Sequence, residues 1–170
     1  MVDSRIPEPW LRGTHTDIAP VQRAVLHALE LAKEDLEKWC GRLTAEELNA
    51  RPSHLVPVAF HIRHIARSVD RLLTYAEGRE LNPKQMAALK SELNAGATHD
   101  ELFAELSAGL AAGAERIQAF RPQQLEESLT VGTKRLPTTV TGLLVHIADH
   151  TQRHTGQAIT TAKIVSAEKP

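Results

Sequence analysis

The chain has 170 residues, with 20 Lys+Arg against 21 Asp+Glu and a single cysteine, Cys40. That length suits one domain; the near-zero balance of charge excludes the positive field that phosphate-backbone binding needs, and one cysteine excludes a disulfide framework or a Cys-rich zinc site. No run of apolar residues is long enough for a membrane span and the start lacks the apolar stretch of a signal peptide, so a cytoplasmic protein with neither nucleic-acid nor membrane partners is expected.

Residues 1–19 read as an N-terminal arm, because Pro7, Pro9 and Gly13 interrupt any helical period and Pro20 can only open a helix. Val21, Ala24, Val25, Ala28, Leu29, Ala32 and Leu36 then recur at spacings of three and four, which predicts a helix over about 20–39, ended by Gly41. The connection from Leu43 to Pro57 holds one short turn, where Thr44 and Glu47 have capping-box spacing. A second long helix, about 57–77, carries the stripe Val58, Ile62, Ile65, Val69, Leu72, Leu73 and Ala76 and stops at Gly78.

Asn82-Pro83 opens a short extra helix to about Asn94. Thr98 with Glu101 caps a further long helix, which runs to Phe120 with Leu102, Leu106, Leu110, Ala114 and Ile117 inward. Residues 123–137 read as a loop or a short extended pair around Gly132. The last helix covers about 138–164 with Val140, Leu144, Ile147, Thr151, Ala158 and Ala162 inside, and 165–170 form a polar tail. The fold class is all-α: one domain over 20–164, a four-helix bundle with one short extra helix.

Nine histidines are the compositional excess that can carry chemistry. His146, His150 and His154 recur every four residues, and a four-residue step turns a side chain only about 40° around a helix, so all three share one strip. His150 and His154 can put two imidazole nitrogens on one cation. On the second helix His61 and His64 are three apart; either can supply a third nitrogen, and a bare helical wheel favours His61, nearer the apolar stripe. Three neutral imidazoles leave a divalent ion with open positions, as catalytic sites do.

Pro57-Val58-Ala59-Phe60-His61-Ile62-Arg63-His64-Ile65-Ala66 resembles the second-helix motif of the DinB/YfiT-like metalloenzymes, and His150-Thr-Gln-Arg-His154-Thr-Gly156-Gln157 resembles their last-helix motif. The resemblance spans about residues 20–164. It implies an up-down-down-up four-helix bundle and a metal held by His64, His150 and His154, with His64 in place of the wheel's His61 because its position in the motif matches. His61, His146 and Gln157 then line the pocket. It further implies a divalent ion, nickel, zinc or manganese, and transfer of a low-molecular-weight thiol such as bacillithiol, mycothiol or glutathione to a small-molecule electrophile. Many members dimerise, so a homodimer is an expectation. A metal-dependent hydrolase, a non-catalytic metal-binding or stress-related protein, and a helical interaction module are the competing readings.

Other residues read as structural. Arg63, Arg67, Asp70, Arg71 and Arg153 form a charged outer face, with Asp70 three residues from Arg67 at ion-pair spacing. Asp149 reads as solvated, Gly156 as a point of close helix approach, and Cys40 as a half-buried thiol. Trp10 packs either over the mouth of the bundle or against its outside.

Overall fold

The structure, a computed structural model, describes residues 6–167. Residues 1–5 of the predicted arm and 168–170 of the predicted tail lie outside the described residues. Six helices and one hairpin follow in order: α1 (Pro20–Cys40), α2 (Ala45–Asn49), α3 (Val58–Ala76), α4 (Pro83–Lys90), α5 (His99–Gln118), β1 (Ser128–Val131), β2 (Leu136–Thr139) and α6 (Val140–Ala167). The chain is mostly helical, in keeping with the all-α class, and carries a small two-stranded sheet. Among the described residues no helix is long and apolar enough to cross a membrane.

The signals that start and stop the helices are local. Pro20 and Pro83 occupy the first turns of α1 and α4, where their missing N–H costs nothing. Thr44, Asn82 and Thr98 each accept a hydrogen bond from the backbone N–H three residues on. At the end of α3, Gly78 takes φ 72° while Gly78 and Arg79 donate back to the carbonyls of Tyr75 and Thr74, the paired closure that a left-handed residue permits. α4 is shorter than expected, because residues 91–94 turn away from the helix axis. α6 runs three residues further than expected, through Ala167, into the segment read as a tail. The extended pair flanking Gly132 is a hairpin, with Leu129 opposite Thr138 and Val131 opposite Leu136, and it leads straight into α6.

The four long helices α1, α3, α5 and α6 pack side by side: α1 and α3 each lie against both α5 and α6. Leu36, Ile62, Ile65, Leu73, Leu102, Ile117, Leu144 and Ile147 are fully buried between them, each contributing about 1.5–3 kcal/mol of apolar burial. Gln22, although polar, is also in the interior. Its amide donates to the carbonyl of Ile117, in the last turn of α5, and to that of Phe120, just beyond the helix.

Two glycines on α5 let α3 come close. A Cβ at Gly109 would stand 2.9 Å from the Cβ of Ala66, and one at Gly113 2.6 Å from Cγ1 of Val69. Gly156, expected to serve such an approach, faces open space instead.

Candidate metal centre

α3 and α6 are packed against each other, which brings the second-helix histidines opposite the strip on the last helix. Nε2 of His64 lies 2.8 Å from Nε2 of His150, and Nδ1 of His61 lies 3.0 Å from Nδ1 of His154. One ring nitrogen each of His64, His150 and His154 falls within a common 4.8 Å. That grouping contains His64 and not His61, the opposite of the simple helical wheel. His61 is buried behind His154 as its hydrogen-bond partner. His146 is exposed, one turn away, its ring centroid 5.4 Å from that of His150.

Sequence reasoning missed two residues that hold these rings. Phe60 stacks on His64, centroids 5.1 Å apart and planes 17° from parallel, and meets His61 and His154 edge-on. Glu92, in the turn after α4, places Oε2 2.7 Å from Nδ1 of His64 and Oε1 2.6 Å from Nη1 of Arg71. Burial raises the affinity of the Glu92 carboxyl for its proton, but the hydrogen bonds from His64 and Arg71 outweigh it and hold the group below the ordinary carboxylate range. An ionised carboxylate only accepts. Nδ1 of His64 therefore carries the proton and donates to Glu92, and in the neutral ring Nε2 keeps its lone pair, aimed at His150.

The face that holds Glu92 corrects an expectation. Arg63 and Arg71 are not on a solvated outer face but are buried, because the segment after α4 folds over them. Arg63 donates to the carbonyls of Glu92 and Asn94, and Arg67 pairs with Glu105 at 2.6 Å. Asp70 pairs with Arg116 at 2.7 Å rather than with Arg67. Asp149 and Arg153 do form an exposed pair one turn apart on α6.

The electrostatics of the histidines follow from their crowding. Burial, together with the neighbouring imidazoles, lowers His61 and His150 to about 4. Burial and the adjacent His64 and Arg153 do the same to His154, also to about 4. His150 and His154 are thus neutral at pH 7, the ligating form of imidazole. This donor set fits a divalent ion: three nitrogens converge from two helices, and the one on His64 has its tautomer fixed by a buried carboxylate.

A cavity of about 570 Å³ opens beside His154 and His61. Leu55, Val56 and Phe60 give it an apolar wall, while Arg153, Gln157 and Thr160 give it a polar one. Gln157, expected in the pocket, lines this cavity, as does Gly156. Trp10 does not reach it: the indole is 61% exposed and lies with Arg23, Ala24 and His27 on the outside of α1. Cys40 takes no part either. It is completely buried rather than half-buried, and burial pushes its thiol up to about 12.

The sequence profile of the DinB superfamily matches residues 28–158 of the chain. A crystal structure of a conserved protein from Enterococcus faecalis superposes with a TM-score of 0.73, covering 89% of this chain and 100% of its own, at 20% sequence identity; at that identity the likeness is one of fold. Among curated proteins none matches significantly.

Proposed function

The chain belongs to the DinB superfamily, and from that premise we propose that it is a divalent-metal-dependent enzyme. In this reading α1, α3, α5 and α6 form an up-down-down-up bundle, and the ion is held by His64, His150 and His154. The observation that carries the reading is the convergence of these three ring nitrogens, with His154 among them also lining an open cavity. Nickel, zinc and manganese are the ions we assign to the donor set, and three protein ligands leave room for a substrate atom.

When bound, such an ion lowers the pKa of a coordinated thiol or water so that it is ionised near neutral pH. The chain's own residues do the rest. Glu92 fixes the tautomer and direction of His64, His61 braces His154, and Phe60 keeps the imidazole planes from turning. Leu55, Val56 and Phe60 offer an apolar surface for the body of an electrophile, with Gln157 and Arg153 at its polar edge. We assign transfer of a low-molecular-weight thiol: a carbon–sulfur bond forms at the electrophilic carbon, the leaving group departs with its bonding pair, and the thiol proton goes to solvent.

The test uses chelator-stripped protein reloaded with nickel, zinc or manganese and incubated with bacillithiol, mycothiol or glutathione and an aryl halide. Thiol consumption that requires the metal and is lost in His150→Ala is the expected result. Absence of metal uptake overturns the whole reading. Uptake without turnover of any of these thiols overturns the transferase assignment, and ester cleavage in its place identifies a hydrolase.

A further inference from the structure

His27 and Glu30 are three residues apart on α1 and therefore neighbours on its surface. The arm ahead of α1 folds back onto that surface. Gly13 and His15 adopt φ 67° and 56°, the second a left-handed conformation that side chains seldom take, and Arg12 anchors the arm through two hydrogen bonds to Glu34 at 2.6 and 2.8 Å. His15, remote from α1 by any helical count, thereby lands on it. Its Nε2 lies 2.7 Å from Oε1 of Glu30, and Nε2 of His27 lies 2.9 Å from the hydroxyl of Thr14. The two imidazole centroids are 5.5 Å apart, and His27 is only 7% exposed.

We propose that His15, His27 and Glu30 form a second cation site, separate from the α3–α6 histidines, for a borderline divalent ion of the zinc type. One ring nitrogen of each histidine and a carboxylate oxygen of Glu30 lie within 4.8 Å of one another. Tetrahedral zinc, with bonds of about 2.0–2.1 Å, needs its ligand atoms about 3.3 Å apart. The gap is closed by a small movement of His15, the one ligand not fixed to α1. Two imidazoles and one carboxylate are a zinc donor set, and the Thr14 hydroxyl or water completes the four.

The cations nearby have partners of their own: Arg12 is held by Glu34, and Lys33 faces Glu37 at 3.9 Å. A bound ion would clasp the arm to α1 more firmly than the His15–Glu30 hydrogen bond does. The two ligands also border a cavity of about 180 Å³ between α1 and α5, walled by Leu26, Leu29 and Leu110, so the site is reached from solvent.

Equilibrium dialysis of the chelator-stripped full chain against zinc alone decides the matter. Two equivalents are expected in the wild type and one in His150→Ala/His154→Ala. None is expected when His15→Asn, which tolerates the left-handed backbone but cannot serve as an imidazole ligand, is added to that double variant. If the double variant fails to fold, judged by circular dichroism, the comparison of wild type with His15→Asn, two equivalents against one, carries the same information. Zinc should also slow amide exchange over residues 13–19. The proposal is overturned if the double variant takes up no zinc, if His15→Asn leaves the stoichiometry unchanged, or if zinc does not protect the arm. Because each site has its own variants, loss of the α3–α6 equivalent alone would sink the proposed enzyme and leave this site standing.

Discussion

Nδ1 of His64 donates to the Glu92 carboxylate across 2.7 Å, and the other oxygen of that carboxylate receives Arg71 at 2.6 Å. A single buried anion thus sets the direction of an imidazole on α3 from a turn 28 residues further along the chain. Carboxylates in this position make the opposite ring nitrogen a better ligand and resist its rotation. Replacing Glu92 with glutamine keeps the shape but lets the ring flip or change tautomer. Zinc affinity, read by competition with a chromophoric chelator, should fall about 10- to 100-fold. Since Glu92→Gln also leaves Arg71 buried without its counter-ion, Glu92→Gln/Arg71→Met is the control. Its fold should recover while its affinity stays low, and recovery of both would remove Glu92 from the site.

Acid should destabilise the metal-free protein in two stages. His61, His150 and His154 ionise near 4 in the folded chain against an ordinary 6.5. Between those values the unfolded chain binds protons that the folded chain refuses, so stability drops as pH falls from about 6.5 to about 4. Glu92 and Glu77, both held below the ordinary carboxylate value against the effect of burial, add a loss at lower pH as they are protonated. Urea midpoints measured at pH 7.5, 6, 5 and 4 should decrease steadily, and a flat profile down to pH 5 would contradict the crowding of the imidazoles.

Gly109→Ala tests the close approach of α3 and α5. Alanine favours a helix over glycine by about 1 kcal/mol. Here, however, its Cβ would stand 2.9 Å from the Cβ and 3.2 Å from the Cα of Ala66, and backbone cannot swing aside. Overpacking costs of about 1–3 kcal/mol should therefore win. A net loss of about 1 kcal/mol in thermal or denaturant unfolding is expected, and a stabilised variant would mean that the helices separate freely.

Cys40, with no exposed surface and a thiol pushed up to about 12, should resist iodoacetamide at pH 8 in the native protein and react fully in urea. Rapid native labelling, followed by mass spectrometry, would show that the end of α1 opens readily.

What the sequence disclosed and what it hid follow one physical division. Apolar residues at three- and four-residue spacing mark α1, α3, α5 and α6, and the histidine strip on α6 is visible for the same reason: both are properties of a single helix. Glu92 carries no such signal. It stands in a turn, and its meaning comes only from the fold of residues 91–94 over α3, which also turns Arg63 and Arg71 from apparent surface residues into buried ones. Gln22 is hidden likewise, its partners being carbonyls of Ile117 and Phe120, nearly a hundred positions away. The wheel points to His61 whereas it is His64 that reaches His150, because proximity to an apolar stripe measures burial and His61 is the more buried of the two.

α6 is one unbroken helix of 28 residues, and at 1.5 Å per residue it is a rod of about 42 Å. His150 and His154 sit well inside it, so their mutual spacing is set by the helical repeat and is insensitive to fraying at either end. Only His64 stands on a different rod. In the proposed site the distance from an ion to all three nitrogens would accordingly be governed by one coordinate, the gap between α3 and α6, two helices whose Ile62 and Ile65, and Leu144 and Ile147, are fully buried in the core.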